Sequence, residues 1–154
     1  MSEQKEPLVR LKPPEQIGIV VKDLDRAMEF YSSNFGWGPF RTSEFEMDID
    51  YKGKDWKIRQ RIAHAQCGAV EIELYHVLQG ETPHTDFLAA RGEGMQHLRF
   101  DVDNLESTLA ALAKGGIRPV WTKSMEMVNF AYISSDVVGG VMFELIEWKT
   151  NVRP

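Results

Sequence analysis

The sequence predicts an α+β fold in which two β-α-β-β-β units follow one another along the chain. The first observation is an internal repeat, because residues 16–35 align with residues 97–116 at a constant offset of 81. A second pair of segments, 69–74 and 140–145, aligns in the same order at an offset of 71. The second observation is periodicity, since the longer repeats open with alternating apolar residues and continue with helical spacing. Two copies of one supersecondary unit explain both observations.

Length and composition describe an ordinary globular protein. The chain has 154 residues, 43% hydrophobic and 27% charged, which suits one domain or two small modules with a shared core. A formal net charge of −5 argues against a protein that coats nucleic acid or an anionic membrane. Cys67 stands alone, so the sequence offers neither a disulfide framework nor a thiolate metal cluster. Without a long apolar run or a secretory pattern, we expect a soluble, cytoplasmic protein.

The first unit begins with a strand and a helix. Apolar residues alternate over 17–21, which predicts the strand. Asp23 is the expected N-cap of the helix, because its carboxylate can accept a hydrogen bond from a free amide of the first turn. Three further strands complete the unit, at about 39–47, 56–64 and 69–77.

The second unit repeats this order. Apolar residues alternate over 98–102, and Asn104 is the expected N-cap of the next helix. Gly115 and Gly116 are expected to end that helix. Three strands follow, at about 118–122, 128–134 and 140–147.

These elements predict the domain organisation. We expect a tail at 1–12 that is mobile or lies on a neighbouring molecule, followed by a single domain over 13–154. Within the domain, module 1 covers about 14–78 and module 2 covers about 95–148. A short helix at 84–91 is predicted in the linker between them.

Four polar residues share one predicted face of the sheet. Strand side chains alternate between faces, and the apolar neighbours of these residues need the face beneath the helices. The opposite face then receives Gln16, Glu73, His97 and Glu144. The repeat maps Gln16 onto His97. It likewise maps Glu73 onto Glu144, so a curved sheet of two equivalent units would gather all four around one point.

This set of donors suits a divalent metal ion. Carboxylate and amide oxygens with one imidazole nitrogen form a hard-to-borderline set, appropriate to Co, Mn, Ni, Zn or Mg. Two glutamates balance the charge of the ion, whereas without a cation their carboxylates would repel each other. The alternative interpretation is four ordinary strand residues on a hydrated face. Their repeat-equivalent positions favour the metal site.

At these residues the sequence resembles the vicinal oxygen chelate superfamily, which includes glyoxalase I, extradiol dioxygenases, fosfomycin and bleomycin resistance proteins and methylmalonyl-CoA epimerase. The resemblance covers about residues 14–148 and is clearest in IGIVVKDLDRAMEFYSSNFGW, DFLAARGEGMQHLRFDVDNLE and GGVMFELIEW. The last two segments are most similar to the epimerase branch. The family implies a cup-shaped mixed sheet with helices on the outside, a metal ion at the four positions above and, in many members, a homodimer.

Two positions depart from the family pattern. The first ligand is usually a histidine, and here it is Gln16, whose neutral amide oxygen coordinates more weakly. This change removes the two-histidine, one-carboxylate triad of iron dioxygenases, which argues against oxygen chemistry. The epimerase branch also has a non-ligand glutamate as base in the first unit, where this chain has Arg59 or Gln60. The sequence therefore argues against strict methylmalonyl-CoA epimerisation.

The resemblance implies an isomerase, epimerase or lyase that transfers a proton next to a carbonyl, through a metal-stabilised enolate of a small carboxylate or acyl-thioester substrate. We name Glu144 and Glu71 as candidate proton-transfer residues. We expect His64 to be structural, and His76 and His84 to be exposed to solvent. Two alternatives stay open: a glyoxalase-type lyase acting on a thiol–aldehyde adduct, and a non-catalytic, ligand-sequestering protein of the bleomycin-resistance type.

Three arginines are candidate substrate-binding residues. Arg99 shares the predicted face of His97, whereas Arg59 and Arg61 alternate with apolar residues on their strand. If all three point into the cup, they attract an anionic substrate. The alternative is that they pair with carboxylates or solvent.

Overall fold

The computed structural model describes residues 5–134, 136 and 139–149, and these residues form one mixed sheet of eight strands with three helices. The first unit contains β1 (Gln16–Val20), α1 (Leu24–Phe35), β2 (Arg41–Tyr51), β3 (Lys54–Cys67) and β4 (Val70–Gln79). The linking helix is α2 (Pro83–Arg91). The second unit contains β5 (Gly94–Asp101), α3 (Leu105–Ala113), β6 (Pro119–Ser124), β7 (Val128–Ile133) and β8 (Met142–Trp148). The predicted order, β-α-β-β-β twice, is confirmed.

The two units join through their first strands. Across the sheet the strand order is β2-β3-β4-β1-β5-β8-β7-β6. β1 runs parallel to β4, β5 runs parallel to β8, and the central pair of β1 and β5 is antiparallel. The four central strands therefore come as one parallel pair from each unit. These strands carry the four polar residues that the sequence directs to one face.

Capping residues begin the three described helices. The carboxylate of Asp23 accepts from a backbone amide at the start of α1, and the side chain of Asn104 does the same at the start of α3. Both caps confirm the prediction. Thr82 caps α2, which ends at Gly92. None of these helices is long and apolar enough to span a bilayer.

The hairpin of β2 and β3 is longer than the sequence predicts. Both strands extend several residues beyond the expected 39–47 and 56–64. A tight turn at Lys52 and Gly53 lets the pairing continue, because both residues take the positive φ that a two-residue turn requires, 55° and 71°. The charged residues within 48–55 resemble loop composition, and for this reason the sequence pattern ends the strands too early.

The outer face of the sheet is covered by α1 and α3. Leu24 of α1 packs with Ala63 and Leu74 of the first unit. Leu105 of α3 packs in the same way against Leu145 of the second unit. The predicted position of these helices on the outside of the sheet is therefore confirmed.

The concave face holds a third apolar cluster, which closes the cup. Tyr51 of β2 packs there with Trp121 of β6 and Tyr132 of β7, although these strands lie at opposite ends of the sheet order. Nζ of Lys123 also donates to the backbone carbonyl of Asp48 at 2.8 Å. The two ends of the sheet thus meet within one chain, a point that the sequence leaves open.

Part of the predicted tail is attached to the second unit. Leu11 packs against the apolar cluster beneath α3. Nζ of Lys12 donates to the carboxylate of Asp103 at 2.7 Å. These two residues of the predicted tail therefore contact the second unit, and the tail boundary stays a prediction. Residues 1–4 of the tail lie outside the described range.

Candidate metal centre

Four side chains that the sequence singles out come together on the concave side of the central strands. Nε2 of His97 is 3.2 Å from Oε2 of Glu73 and 3.6 Å from Oε2 of Glu144. All three residues are buried. Gln16, also buried, lies two residues before Gly18, which pairs with both Glu73 and His97. The structure therefore brings the four candidate ligands into one region of the cup.

The imidazole of His97 needs a glycine beneath it. A Cβ atom at position 18 would be 2.0 Å from Cε1 of His97, so any side chain there would displace the ring. Because Gly18 has no side chain, the ring lies directly on the backbone of β1. From this position Nε2 reaches both carboxylates.

A β-bulge beside His97 sets the tautomer of its ring. The register between β1 and β5 shifts after Gly18, so Gln96 is left without a pairing partner and its side chain is buried beside the imidazole. Nδ1 of His97 lies 2.6 Å from Oε1 of Gln96, and an amide oxygen can only accept. When the ring is neutral, Nδ1 therefore carries the proton, and Nε2 presents its lone pair towards the carboxylates.

Two of the candidate donor atoms have no hydrogen-bond partner within the described part of the chain. They are Oε1 of Gln16 and Nε2 of His97, both shielded from solvent. The 3.2 Å approach of Glu73 to Nε2 lacks hydrogen-bond geometry. The amide nitrogen of Gln16, by contrast, donates to Oε1 of Glu71 at 2.6 Å. Buried polar atoms are nearly always satisfied, so two unpaired atoms beside two carboxylates indicate a cation as the missing partner.

The charges in this cluster depend strongly on one another. Burial raises the pKa of Glu73, but its contacts with His64 and His97 lower it by more, so the resulting pKa is well below the usual range. Burial lowers the pKa of His97, yet the two carboxylates raise it overall. Burial, together with the charge of Glu73, raises the pKa of Glu144. Without a cation, Glu73 is thus held as an anion while Glu144 tends to keep a proton. A divalent cation would remove the repulsion between the two carboxylates and allow both to be ionised.

The donor set fits a divalent ion. With metal–ligand distances near 2.1 Å, neighbouring donor atoms are about 3.0 to 3.5 Å apart, close to the separations of His97 from Glu73 and Glu144. The support of His97 by Gln96 is the arrangement that metal-binding histidines usually have. Among the described residues, no three His, Cys, Asp or Glu side chains already surround one common point. Binding would therefore require the carboxylate oxygens to turn inward around the ion.

Glu71 and Arg99 border the centre on one side. One oxygen of Glu71 accepts from Gln16 and lies 3.4 Å from Nη1 of Arg99, and the other lies 3.6 Å from Nη2 of Arg41. Together with His64, the acid and the two arginines line a cavity of about 420 Å³. Arg99 therefore lies on the side of the sheet where the sequence places it.

Arg59 and Arg61 do not point into the cup, which corrects the expectation from the sequence. Arg61 forms hydrogen bonds of 2.9 and 3.0 Å with Asp25 of α1 on the outer face. Arg59 lies 3.6 Å from Glu44. The sequence pattern assigns the faces of β3 wrongly because apolar clusters cover both faces of this strand, so apolar residues do not identify the concave one.

Two further histidines lie near the centre, and the exposure predicted for one of them is wrong. His64 faces Glu73 across β3 and β4, with Nε2 3.0 Å from Oε1, and the register of this hairpin is the signal that would have found it. His84 is fully buried, not exposed. Its ring stacks on Tyr75 with centroids 3.7 Å apart and lies 5.7 Å from the ring of His97. Burial, with the charge of His97, lowers the pKa of His84 to about 3, so this ring is neutral.

The sheet order and the outer helices are those of the glyoxalase-like fold. The chain belongs to the Glyoxalase/Bleomycin resistance protein/Dioxygenase superfamily, because the model of that family matches residues 15–132. The family expected from the sequence is therefore confirmed.

Similar proteins include one uncharacterised member and several epimerases. The uncharacterized protein YqjC of Bacillus subtilis (strain 168) is 27% identical over 138 residues, which cover 88% of this chain and 91% of that protein. The mitochondrial methylmalonyl-CoA epimerase of Mus musculus is 24% identical over 147 residues, 93% of this chain and 77% of that protein. Among solved structures, methylmalonyl-CoA epimerase from Mycobacterium tuberculosis has a TM-score of 0.65 at 24% identity, covering 96% of this chain and 95% of that one. A variant of the Streptomyces coelicolor epimerase in complex with 2-nitronate-propionyl-CoA has a TM-score of 0.68 at 22% identity, with coverages of 94% and 100%. At these identities the solved structures show a shared fold.

Proposed function

We propose that this protein is a metal-dependent isomerase, epimerase or lyase that moves a proton on the carbon next to a carbonyl group. The observation that carries this proposal is the pair of buried atoms, Oε1 of Gln16 and Nε2 of His97, that find no hydrogen-bond partner in the described ranges. They stand beside two buried carboxylates, Glu73 and Glu144. A cation completes this arrangement, and the superfamily to which the chain belongs includes enzymes of this kind.

The metal would be held by Gln16, Glu73, His97 and Glu144. Co, Mn, Ni, Zn and Mg all suit three oxygen donors and one nitrogen donor. When bound, the ion supplies a Lewis acid that stabilises negative charge developing on a substrate oxygen. Around this ligand set, Gln96 fixes the imidazole of His97.

Glu144 is the first candidate for proton transfer. Its buried carboxylate lies 3.6 Å from Nε2 of His97, and it could serve both as a ligand and, when released from the ion, as the group that accepts the proton. Glu71 is the second candidate, because it lines the cavity beside the centre. One oxygen of Glu71 is already engaged by Gln16 and Arg99, which makes Glu144 the stronger choice.

An anionic substrate suits the cavity beside the centre. Arg99 and Arg41 line it, and the side chain of Arg99 is only 14% exposed. Guanidinium groups bind carboxylates and phosphates through paired hydrogen bonds, and partial burial strengthens them. We therefore propose a small carboxylate or acyl-thioester substrate, in line with the relatives that are named methylmalonyl-CoA epimerase.

Methylmalonyl-CoA epimerisation itself is not proposed. At the position where the epimerase branch has its glutamate base, this chain has Arg59 or Gln60, and Gln60 is buried and accepts from the hydroxyl of Tyr75. An amide in that bond has no proton-transfer chemistry at neutral pH. The homodimer, the cytoplasmic location and the domain boundaries expected from the sequence stay predictions.

Metal analysis followed by isotope exchange tests the proposal. Protein purified without chelator should contain about one divalent ion per chain if the four donors form one site. In D₂O, deuterium should enter the carbon next to the carbonyl of a 2-substituted carboxylate, an acyl thioester or a thiol–aldehyde adduct. Glu144→Ala should abolish this exchange, whereas Glu106→Ala in the exposed first turn of α3 should leave it unchanged.

Each negative result has a defined meaning. Protein without metal would contradict the metal centre. Metal-loaded protein that binds these compounds without exchange would contradict the enzymatic proposal and favour a ligand-sequestering protein. Exchange at the full rate in Glu144→Ala would exclude Glu144 as the proton-transfer residue.

A further inference from the structure

The amide of Gln16 is held by charged side chains at the edge of the cavity. Its Nε2 donates to Oε1 of Glu71 at 2.6 Å, and the two residues are paired across the parallel strands β1 and β4. Arg99 pairs with Gln16 on the other side, across β1 and β5, and its Nη1 is 3.4 Å from Glu71. Arg41 approaches the second oxygen of Glu71 at 3.6 Å. The two guanidinium groups therefore keep the carboxylate beside the amide.

A carboxylate decides which end of a neighbouring amide faces it. The two ends of an amide have similar shapes, but one is a donor and the other an acceptor. Because a carboxylate is an acceptor only, Glu71 attracts the NH₂ end of Gln16 and repels the carbonyl end. Oε1 of Gln16 must then turn away, and it is buried with no hydrogen-bond partner among residues that the structure describes. In this orientation an amide can serve as an oxygen ligand.

The second unit supports this interpretation by contrast. The repeat makes Met142 the counterpart of Glu71, and Met142 pairs with His97 across β5 and β8 as Glu71 pairs with Gln16. The imidazole of His97 is oriented by Gln96 instead and needs no carboxylate at that place. Glu71 thus stands beside the amide of Gln16, whereas the thioether of Met142 stands beside the imidazole of His97.

We propose that Glu71 is a positioning residue that orients the amide of Gln16, so that Oε1 is presented to the metal ion and Nε2 is held away from it. This inference rests on the proposed metal centre and gives Glu71 a role other than proton transfer. It also explains how a glutamine can serve at the position where the family resemblance leads us to expect a histidine. The amide is fixed before the ion binds, so binding needs no reorientation of this ligand.

Co²⁺ affinity, measured by competition with a coloured chelator, tests the proposal. Glu71→Gln keeps the shape of the side chain but adds a donor that lets the amide of Gln16 turn over. We expect the Co²⁺ affinity to fall about 10- to 100-fold, as for other changes to the support of a metal ligand. Loss of the negative charge alone would also weaken binding, so the same substitution is made in a Gln16→Ala background. There Glu71→Gln should change the affinity by less than about 3-fold, because the group that it positions is gone.

Equal losses in both backgrounds would overturn the proposal, because the charge of Glu71 would then be its whole contribution. Exchanging the two side chains gives a second test. In the double variant Gln16→Glu/Glu71→Gln, the introduced amide can donate to the introduced carboxylate, so the Co²⁺ affinity should return to within about 10-fold of wild type. A double variant that binds no better than Glu71→Gln contradicts the positioning role.

Co²⁺ binding by the wild-type protein distinguishes a failure of this inference from a failure of the proposed function. If wild type binds no Co²⁺, the metal centre itself is wrong. If wild type binds Co²⁺ and Glu71→Gln binds it equally well, only the positioning role is wrong. Glu44→Gln, which removes an exposed carboxylate that pairs with Arg59, is the matched control and should keep the wild-type affinity. Thermal unfolding in the presence of chelator verifies that each variant is folded.

Discussion

The two repeat units supply equivalent candidate ligands but surround them differently. The residue paired opposite the carboxylate of Glu73 is His64, and the residue paired opposite Glu144 is Tyr132. The side chain of His64 is 28% exposed and lines the cavity, whereas Tyr132 is 3% exposed in the apolar cluster. Burial raises the pKa of both carboxyl groups, but the contacts with His64 and His97 reverse this shift at Glu73 alone.

This difference separates the contribution of the backbone from that of the side chains. The repeated strand order decides where the donor atoms stand. The side chain opposite each carboxylate then helps to decide its charge. In the metal-free protein, the fold therefore favours the anion of Glu73 and the protonated form of Glu144.

The largest effect is expected from removing the imidazole of the second unit. His97 is the one nitrogen donor in the proposed set, and it is fully buried. His97→Ala should lower the affinity for a divalent metal by more than about 100-fold, since even indirect changes to a ligand cost 10- to 100-fold. Elemental analysis measures the result, with His76→Ala on β4 as a control that should retain metal. Full metal content in His97→Ala would show that the second unit does not supply this ligand.

The two carboxylates should respond in opposite directions when they are neutralised in metal-free protein. Because its lowered pKa shows that the fold favours its anion, Glu73→Gln should reduce the free energy of unfolding at pH 7 by about 1 to 3 kcal/mol. Glu144 has a raised pKa, so the fold disfavours its anion, and Glu144→Gln should raise the free energy of unfolding or leave it unchanged. Urea unfolding with chelator present measures both.

The pH dependence of the free energy of unfolding tests the same difference between Glu73 and Glu144. A carboxyl group whose pKa is lowered by folding stabilises the protein above its unfolded pKa near 4, and this contribution disappears as the pH falls through the folded pKa. The cost of Glu73→Gln should therefore diminish on acidification below about pH 4. Equal effects of the two substitutions at pH 7 would contradict the asymmetry between the units.

A smaller effect is expected from the first ligand of the first unit. Gln16 is a neutral donor, so Gln16→Ala should lower the metal affinity about 10-fold, less than the loss in His97→Ala. Gln16→His should bind metal more tightly than wild type, because imidazole is the stronger ligand. Competition with a chelator measures both variants. Undiminished affinity in Gln16→Ala would mean that the amide does not coordinate.

The smallest effect is expected where the linking helix α2 is fastened to the first unit. The carboxylate of Asp86 accepts from the hydroxyl of Tyr51 at 2.7 Å and pairs with Lys52. Burial raises the pKa of Asp86, but these two partners lower it overall. Because the side chain is 40% exposed, Asp86→Asn should reduce the free energy of unfolding by less than about 1 kcal/mol at pH 7.

The loss in Asp86→Asn should vanish as the pH falls through the lowered pKa of Asp86, since the wild-type carboxyl is then neutral as well. Urea unfolding at pH 7 and pH 3 measures this change. Glu106→Gln, in the exposed first turn of α3, serves as the control. A loss of the same size at both pH values would show that the charge of Asp86 is unimportant.

Much of the fold could be predicted because its signals are local. Alternation over a few residues predicts β1 and β5, and capping side chains such as Asp23 and Asn104 lie at the starts of the helices that they cap. The repeat pointed to the four candidate ligands, since equivalent positions in equivalent units lie on equivalent faces. The full length of the hairpin of β2 and β3 could not be predicted from such local signals, because a turn at Lys52 and Gly53 extends strands whose charged ends resemble a loop.

By itself, then, the sequence determined the order of the elements, the helix starts, the family and the four polar residues that share a face, because each depends on neighbours in the chain or on the repeat. Tertiary structure alone decided that Arg59 and Arg61 face outwards, that His64 stands opposite Glu73 and that the cup closes within one chain. The physical reason is that strand register and burial on two faces arise from contacts between residues distant in sequence. A one-residue change in such a register moves every side chain of a strand to the other face.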